Sequence, residues 1–222
     1  MALQRYAVVR AALALLDEVG LDGLTVRRLA ERLGVQNPAL YWHFKNKQEL
    51  LDAMARTMLA DAFAGIEPPA SRDMWADWLA DVAQRFRRAL LTHRDGARVI
   101  ATADLSGSEL LAVQEMAMGV LTSAGFDRRT ALVSVVATFD YTLGAAFEEQ
   151  AEPNHPAWGP STVLGPRRPS LDPSRVPLLA AASDKLATTA SSDDPDAGFK
   201  GGIELILTGM AAKRDAGRHT RL

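Results

Sequence analysis

Side chains able to hydrogen-bond to DNA bases and phosphates are concentrated between Thr25 and Lys47, in the segment TVRRLAERLGVQNPALYWHFKNK. Arg suits the O6/N7 edge of guanine, whereas Gln and Asn suit the N6/N7 edge of adenine. Lys, Tyr and His can hold phosphates, which fix position without reporting sequence. The chemistry that these residue types predict is recognition of duplex DNA, provided that a rigid element presents them together.

The spacing of small and apolar residues in this segment predicts that element, a helix-turn-helix. Two helices that meet across a tight turn need a small residue at their approach and a turn residue that tolerates positive φ. Ala30 and Gly34 meet these needs, and apolar residues bracket the turn at Leu29, Leu33, Val35 and Leu40. A three-helix core with a glycine turn also occurs in proteins that do not bind DNA, and that alternative stays open here.

The second helix of such a motif enters the major groove with its N-terminal residues against base edges. We therefore expect base contacts from the start of that helix, with Arg27 reaching from the helix before it, and phosphate contacts from the residues that follow. The predicted DNA-binding set is Thr25, Arg27, Arg28, Gln36, Asn37, Pro38, Ala39, Tyr41, His43, Lys45 and Lys47.

Structural roles compete for several of these residues and their neighbours. Asn37 could serve only as a helix cap, His43 could be a structural hydrogen-bond donor, and Arg28 could be solvated surface charge. Trp42 and Phe44 are expected in the core and not in contact with DNA, because large aromatic side chains are mostly buried.

Charge is distributed unevenly along the chain. The net charge is −2, but residues 1–50 hold seven Lys and Arg against five Asp and Glu, which is +2 and leaves −4 for the remainder. The positive end coincides with the predicted DNA-binding motif.

Helix-period apolar spacing dominates the whole chain, so the predicted fold class is all-α. We expect a helix-turn-helix DNA-binding domain at 1–47, a connecting helix at 48–66, and a C-terminal ligand-binding and dimerisation domain at 67–222. Pro68 and Pro69 mark the junction. Residues 151–176 contain six prolines and are expected to form a long loop.

Helix starts follow from capping residues. Thr25 and Asn46 with Glu49 are predicted caps in the first part of the chain, and Asp127 is the predicted start of a long helix that runs from Thr130 to about Gln150. The remaining predicted caps are Asp73, Ser106 with Glu109, and Asp194 before Pro195. Gly20 is expected to end the first helix in a left-handed conformation.

Composition argues against several function classes. The chain has no cysteine, and the N-terminal segment is amphipathic, which suggests neither a signal peptide nor a membrane span and favours a cytoplasmic protein with no membrane partner. The four histidines form no HExxH or Ser-His-Asp pattern, so no catalytic residue, metal site or cofactor is predicted. Two alternatives to a ligand-responsive DNA-binding regulator stay open. One is a helical DNA-binding scaffold without a ligand, and the other is an enzyme that uses a cavity in the C-terminal domain.

From about Leu3 to Phe63 the chain resembles the TetR family of bacterial repressors, above all in LTVRRLAERLGVQNPALYWHFKNKQELLDAM. The segments RFRRALLTHRDGARV, YTLGAAFEEQ and GIELILTGM are similar to its tetracycline-repressor branch. The resemblance implies a homodimer, built by the helix around 130–150 and the last helix, with a ligand cavity in each subunit. It also implies binding to double-stranded, palindromic operator DNA, although Asn37 stands where that branch usually has Gln.

The ligand site departs from the pattern of that branch. Apolar residues appear where tetracycline repressors are expected to hold a drug–magnesium chelate with polar side chains, so tetracycline is not the predicted effector. We expect a small, hydrophobic or polycyclic effector in a cavity lined by Phe63, Trp75, Trp78, Val82, Phe86, Ile100, Ala103, Met116 and Phe139. Simple core packing is the competing interpretation of the same residues.

Overall fold

A computed structural model describes residues 4–150, 172–189 and 196–219. In these ranges the secondary structure consists of α-helices and one 3-10 turn at Arg72–Met74, with no strand, which confirms the predicted all-α class. Packing divides the chain into two units, residues 1–124 and 125–222. The domain boundaries predicted at residues 47 and 66 separate regions of different function. These boundaries remain a prediction.

The first unit is built around its fourth helix, which packs against the first, fifth, sixth and seventh helices. Residues from all of these helices form the apolar core, among them Leu16, Met54, Leu59, Leu79 and Leu121. The helices are α1 (Arg5–Gly23), α2 (Val26–Leu33), α3 (Asn37–Tyr41), α4 (Lys47–Phe63), α5 (Trp75–Thr92), α6 (Gly96–Thr102) and α7 (Glu109–Ser123).

The second unit contains α8 (Arg128–Gln150), α9 (Pro177–Thr189) and α10 (Ala197–His219). Helix α8 packs against α10, where the Tyr141 ring stacks on Phe199 with centroids 5.6 Å apart. The Tyr141 hydroxyl donates a hydrogen bond to the Phe199 carbonyl at 3.3 Å. By length and composition alone α8 could also cross a membrane, a weak indication because a helix packed on several sides has the same composition.

Three predicted caps are confirmed. Thr25 Oγ1 accepts a hydrogen bond from the Arg28 N–H, and Asn46 Oδ1 accepts one from the Glu49 N–H. Asp127 Oδ1 accepts from the N–H groups of Arg129 and Thr130. In each case a short polar side chain satisfies backbone donors that have no partner inside the helix.

Two other predicted caps are wrong, because the elements begin at other residues. Ser71, not Asp73, caps the 3-10 turn that leads into α5, and its hydroxyl accepts from the Asp73 N–H at 3.3 Å. Ser108, not Ser106, precedes α7. The predicted cap at Asp194 lies outside the described residues, as do residues 151–171 of the predicted loop.

Gly20 adopts the predicted positive φ, but α1 resumes beyond it. With φ 70° and ψ 174°, Gly20 interrupts the helix, which continues for three residues to Gly23. The Leu21 N–H then donates to Asp95 Oδ2 at 2.7 Å instead of to an intrahelical carbonyl. The break therefore attaches the end of α1 to the turn between α5 and α6.

Candidate nucleic-acid interface and effector site

The turn between α2 and α3 has the geometry that its sequence predicts. Gly34 lies in the left-handed region, with φ 66° and ψ 29°. Its N–H donates to the Glu31 carbonyl at 3.2 Å, and the Val35 N–H donates to the Ala30 carbonyl at 3.0 Å. This pair of bonds is the Schellman motif, which ends a helix and fixes the direction of the next one.

Apolar packing beneath the turn determines which face of α3 stays in solvent. Leu29, Ala30 and Leu40 are buried, so α3 rests on α2 through the side chain of Leu40. Gln36, Asn37 and Pro38 are exposed and Ala39 is half-buried. Tyr41 is 55% exposed. The leading edge of α3 is therefore open to a DNA groove.

Asn37 does not cap α3, so the alternative that it serves only as a helix cap is wrong. Gln36 occupies the cap position without a side-chain hydrogen bond, Asn37 is the first helical residue, and Pro38 follows it. Within the described parts of the chain the Asn37 amide has no hydrogen-bond partner. Both its donor and its acceptor are available for the edge of a base.

The expectation that Trp42 and Phe44 both lie in the core is wrong for Trp42. Phe44 is buried, whereas Trp42 is 89% exposed at the end of α3. Position relative to Leu40 explains the difference, because Phe44 lies four residues beyond Leu40 and follows the same inward direction. Trp42 is thus an exposed aromatic residue beside the edge of α3 that the sequence analysis did not predict, and only its helical phase could have indicated its exposure.

Arg5 of α1 stabilises the segment between α3 and α4. Its guanidinium lies 4.4 Å from the Phe44 ring centroid and donates to the His43 carbonyl at 2.9 Å. The Glu49 carboxylate accepts from the Lys45 N–H at 2.8 Å, and this bond, helped by Arg5, lowers the pKa of Glu49. The backbone at His43 and Lys45 is therefore fixed, while the Lys45 side chain remains exposed.

The basic residues of the predicted set differ in how far they are already engaged. Arg27 is 81% exposed and pairs with Glu31 at 2.9 Å, a pair that a phosphate could replace at little cost. Arg28 donates to the Gly23 carbonyl at 3.1 Å. Lys47 Nζ donates to the Leu21 carbonyl at 3.1 Å, which leaves two of its three donors for phosphate.

The predicted effector residues fall in both units, and only some of them are brought together. Phe63 and Phe86 stack with centroids 6.3 Å apart and planes inclined by 18°. Trp75, Val82 and Ile100 are buried in the first unit, and Phe139 is buried in the second. These positions fit an apolar lining and core packing equally well.

The other three predicted effector residues are only partly buried. Trp78 donates its Nε1–H to the Glu67 carbonyl at 2.7 Å, so its polar edge is already satisfied. Ala103 and Met116 are half-buried. Among the residues that the structure describes, no group of His, Cys, Asp and Glu could hold a metal ion.

A polar face of α4 holds the loop that follows α6, and the sequence analysis did not identify it. We call Gln48, Asp52 and Arg56 the α4 ladder, since they lie four residues apart on one side of the helix. Gln48 Nε2 donates to the Thr102 carbonyl at 2.9 Å, and Asp52 accepts from the Asp104 N–H at 2.9 Å. Their spacing in the sequence indicates a shared face but not the loop that it binds.

Arg56 completes the α4 ladder. Its guanidinium donates to the Asp104 carbonyl at 3.0 Å and lies 3.7 Å from the Asp104 carboxylate. Asp104 also accepts hydrogen bonds from Ser106, which lower the pKa of Asp104 and keep it charged opposite Arg56. A movement of the loop between α6 and α7 would therefore displace α4 as well. Lys47, the first residue of α4, lies beside the DNA-binding motif.

A helix-turn-helix with an open recognition edge, joined through one central helix to a helical core, defines a DNA-binding transcriptional regulator. Comparison with known proteins agrees along nearly the whole chain. A family model described as "Bacterial regulatory proteins, tetR family" matches residues 8–54, and one described as "Tetracyclin repressor-like, C-terminal domain" matches residues 67–214. The chain belongs to the TetR family of bacterial regulatory proteins.

Relatives and solved structures place the chain near the tetracycline repressors. It is 43% identical to the tetracycline repressor protein class A from transposon 1721 of Escherichia coli, over 96% of this chain and 92% of the relative. A possible TetR family transcriptional regulator from Streptomyces coelicolor A3(2) is 38% identical, with a TM-score of 0.79 over 94% of this chain and 99% of that one.

A third comparison includes a ligand. A TetR variant from Acinetobacter baumannii AYE, solved in complex with minocycline, is 35% identical, with a TM-score of 0.70 over 96% of this chain and 98% of that one. Similarity of this extent confirms the resemblance drawn from the sequence, including its extension beyond the DNA-binding motif.

Proposed function

We propose that this protein is a cytoplasmic, homodimeric repressor that binds a palindromic operator and releases it when a small, largely apolar effector binds. The observation that supports this proposal best is the exposed edge of α3, where Asn37 has no partner among the described residues and Tyr41 and Trp42 face solvent. Relatives named as tetracycline repressors support the repressor role.

The homodimer is supported by apolar surface on the second unit. Helix α8 exposes Leu132, Val133 and Val136 on neighbouring turns, while α10 exposes Leu205. A soluble protein rarely leaves such side chains grouped in solvent unless another surface covers them. A second copy that packs α8 and α10 against their counterparts would cover both helices and account for the apolar residues on the exposed side of α8.

Two-fold symmetry would set the distance between the recognition helices. The two α3 helices of a dimer would match half-sites about one DNA turn apart, roughly 34–36 Å. A change in the orientation of α4 would alter that distance and weaken operator binding. The α4 ladder supplies a physical route, because it attaches α4 to the loop that follows α6, and α6 contains Ile100, one of the proposed effector contacts.

The apolar character of the effector rests on the residues at the proposed site. Phe63, Val82, Phe86 and Ile100 have no hydrogen-bonding side-chain groups, so a chelated polar drug would lose its solvation without compensation. A hydrophobic aromatic compound would instead gain from stacking against the Phe63–Phe86 pair. None of the proposed roles involves catalysis.

Titration of a preformed protein–operator complex tests the effector proposal. We expect apolar polycyclic compounds to release fluorescent operator DNA, and we expect Phe86→Ala to weaken that response at least tenfold while leaving operator affinity within about twofold. Met74→Ala, at an exposed position of the same unit, is the control. Indifference to every such compound, with tight binding of magnesium–tetracycline, would contradict the proposal.

A further inference from the structure

A cleft between α4 and α5 is lined by none of the residues proposed for the effector. Its volume is about 260 Å³, and it lies wholly within the first unit. An apolar floor of Met58, Ala62 and Ala89 is bordered by polar side chains. Those polar side chains are Asp61, Arg85, Arg88, Thr92 and His93.

Most charged groups on the border of the cleft are already paired. Arg10 donates to both oxygens of Asp61, at 2.6 and 2.8 Å, so the one carboxylate on the border is neutralised. His93 Nδ1 lies 2.9 Å from Asp17, and Arg85 pairs with Asp81 at 2.7 Å. The Asp61 carboxylate, the only one that lines the cleft, is thus already balanced by Arg10.

Arg88 is the exception. Its side chain is exposed beside the cleft, and it forms no ion pair with any residue in the described ranges. Guanidinium presents a planar set of N–H donors that matches a carboxylate, and bidentate pairs of this kind are the stronger charge-assisted hydrogen bonds. The cleft thus combines an apolar floor with one cation that lacks a described counter-ion.

We propose that this cleft is a second ligand site, which takes a small organic carboxylate. The carboxylate would pair with Arg88, with Arg85 beside it, and a flat apolar body would cover Met58 and Ala89. Pockets for drug-sized ligands have volumes of roughly 300–1,000 Å³, so this smaller cleft favours compounds about the size of a single aromatic ring. Binding at this site does not depend on the proposed operator binding.

Calorimetric titration of the full chain with benzoate, and with benzamide as its neutral isostere, tests this inference. We expect saturable benzoate binding and at least tenfold weaker benzamide binding. Arg88→Ala should weaken benzoate binding about tenfold, the loss typical of a hydrogen bond to a charged group. Arg72→Ala, at an exposed arginine outside the cleft, should leave it unchanged.

A second variant tests the shape of the cleft without changing the charge of Arg88. Ala62→Leu should fill the cleft and weaken benzoate binding while the melting temperature of the free protein stays close to that of the parent. Equal affinity for benzamide and benzoate would overturn the proposal. So would the absence of saturable benzoate binding, or benzoate affinity that neither Arg88→Ala nor Ala62→Leu changes.

Discussion

Individual side chains at the recognition edge are divided between holding the motif together and remaining open to DNA. Arg5, Phe44 and Glu49 fix the backbone between α3 and α4, whereas Asn37 and Lys45 lie in solvent. Binding can then proceed with little rearrangement of the backbone, which limits its entropic cost.

Lys47 has both roles, which leads to a prediction with two readouts. Lys47→Ala should lower the slope of log affinity against log salt by about 0.9, the value for one phosphate contact. It should also lower the melting temperature slightly, because the Leu21 carbonyl loses its donor. Fluorescence anisotropy at several salt concentrations measures the slope.

Arg72→Ala is the matched control for that measurement, since Arg72 is exposed on the 3-10 turn outside the motif. If Lys47→Ala had the same salt dependence as the parent protein, Lys47 would not be one of the phosphate contacts.

At the scale of elements, the turn after α2 sets the angle at which α3 is presented. Gly34 has φ 66°, and a Cβ added there would meet no atom within 4 Å, so any penalty of substitution comes from backbone conformation alone. Gly34→Ala should therefore lower the free energy of unfolding by about 1 kcal/mol. Urea denaturation followed by circular dichroism measures the change.

Gly119 provides the opposite case for comparison. It lies inside α7 with no atom within 4 Å of an added Cβ, and its φ is not positive. Gly119→Ala should raise the free energy of unfolding by roughly 0.5–1 kcal/mol, as expected for alanine in a helix. If both variants changed stability in the same direction, the conformational explanation of Gly34 would be wrong.

The α4 ladder makes a separate prediction about signal transmission. Asp52→Ala removes the acceptor for the Asp104 N–H and for Gln48, and it should loosen the attachment of the loop after α6 to α4, which Gln48 and Arg56 alone would then hold. Operator affinity should stay within about threefold, whereas the effector concentration needed for release should rise at least tenfold. Gln114→Ala on α7 is the control, and unchanged release by Asp52→Ala would exclude the ladder from the transmission.

Local features of these elements could be predicted from the sequence, and features that depend on distant residues could not. Thr25, Gly34 and Asn46 act within their own turn of chain, and each has the predicted role. Asp73 and Ser106 are not caps because the 3-10 turn before α5 begins after Ser71 and α7 begins after Ser108, so the predicted starts are displaced by two residues. The loop bound by the α4 ladder lies about 50 residues along the chain, beyond any local pattern.

The same limit applies to the candidate sites. The exposed edge of α3 follows from helix phase once Leu40 is placed inward, so most of that surface could be predicted from the sequence. Prediction of an effector cavity requires knowledge of how several helices pack. A set of buried apolar residues in the sequence does not show whether they line a cavity or fill the core. The cleft beside Arg88 was not predicted, because the lining residues from α4 and those from α5 and its C-terminal end are 23 positions apart or more, from Ala62 to Arg85.

For the molecule as a whole, assembly should determine whether the operator is recognised. Val133→Glu places a charge among the exposed apolar residues of α8 and should shift the protein from dimer to monomer in sedimentation velocity. Operator affinity should fall with it, because each half-site alone gives only part of the binding energy. Met74→Glu adds the same charge to an exposed residue of the first unit and should leave the dimer intact.

The most direct test of the account is selection of bound sequences from random duplex DNA, followed by affinity measurements on the selected duplex. We expect a palindrome with half-sites about one helical turn apart. Asn37→Ala should then weaken binding by roughly 1–3 kcal/mol and relax the preference at one base pair of each half-site. Failure to enrich any sequence at low salt, or equal affinity of Asn37→Ala for selected and mutated duplexes, would contradict the assignment of the α3 edge as the DNA-reading surface.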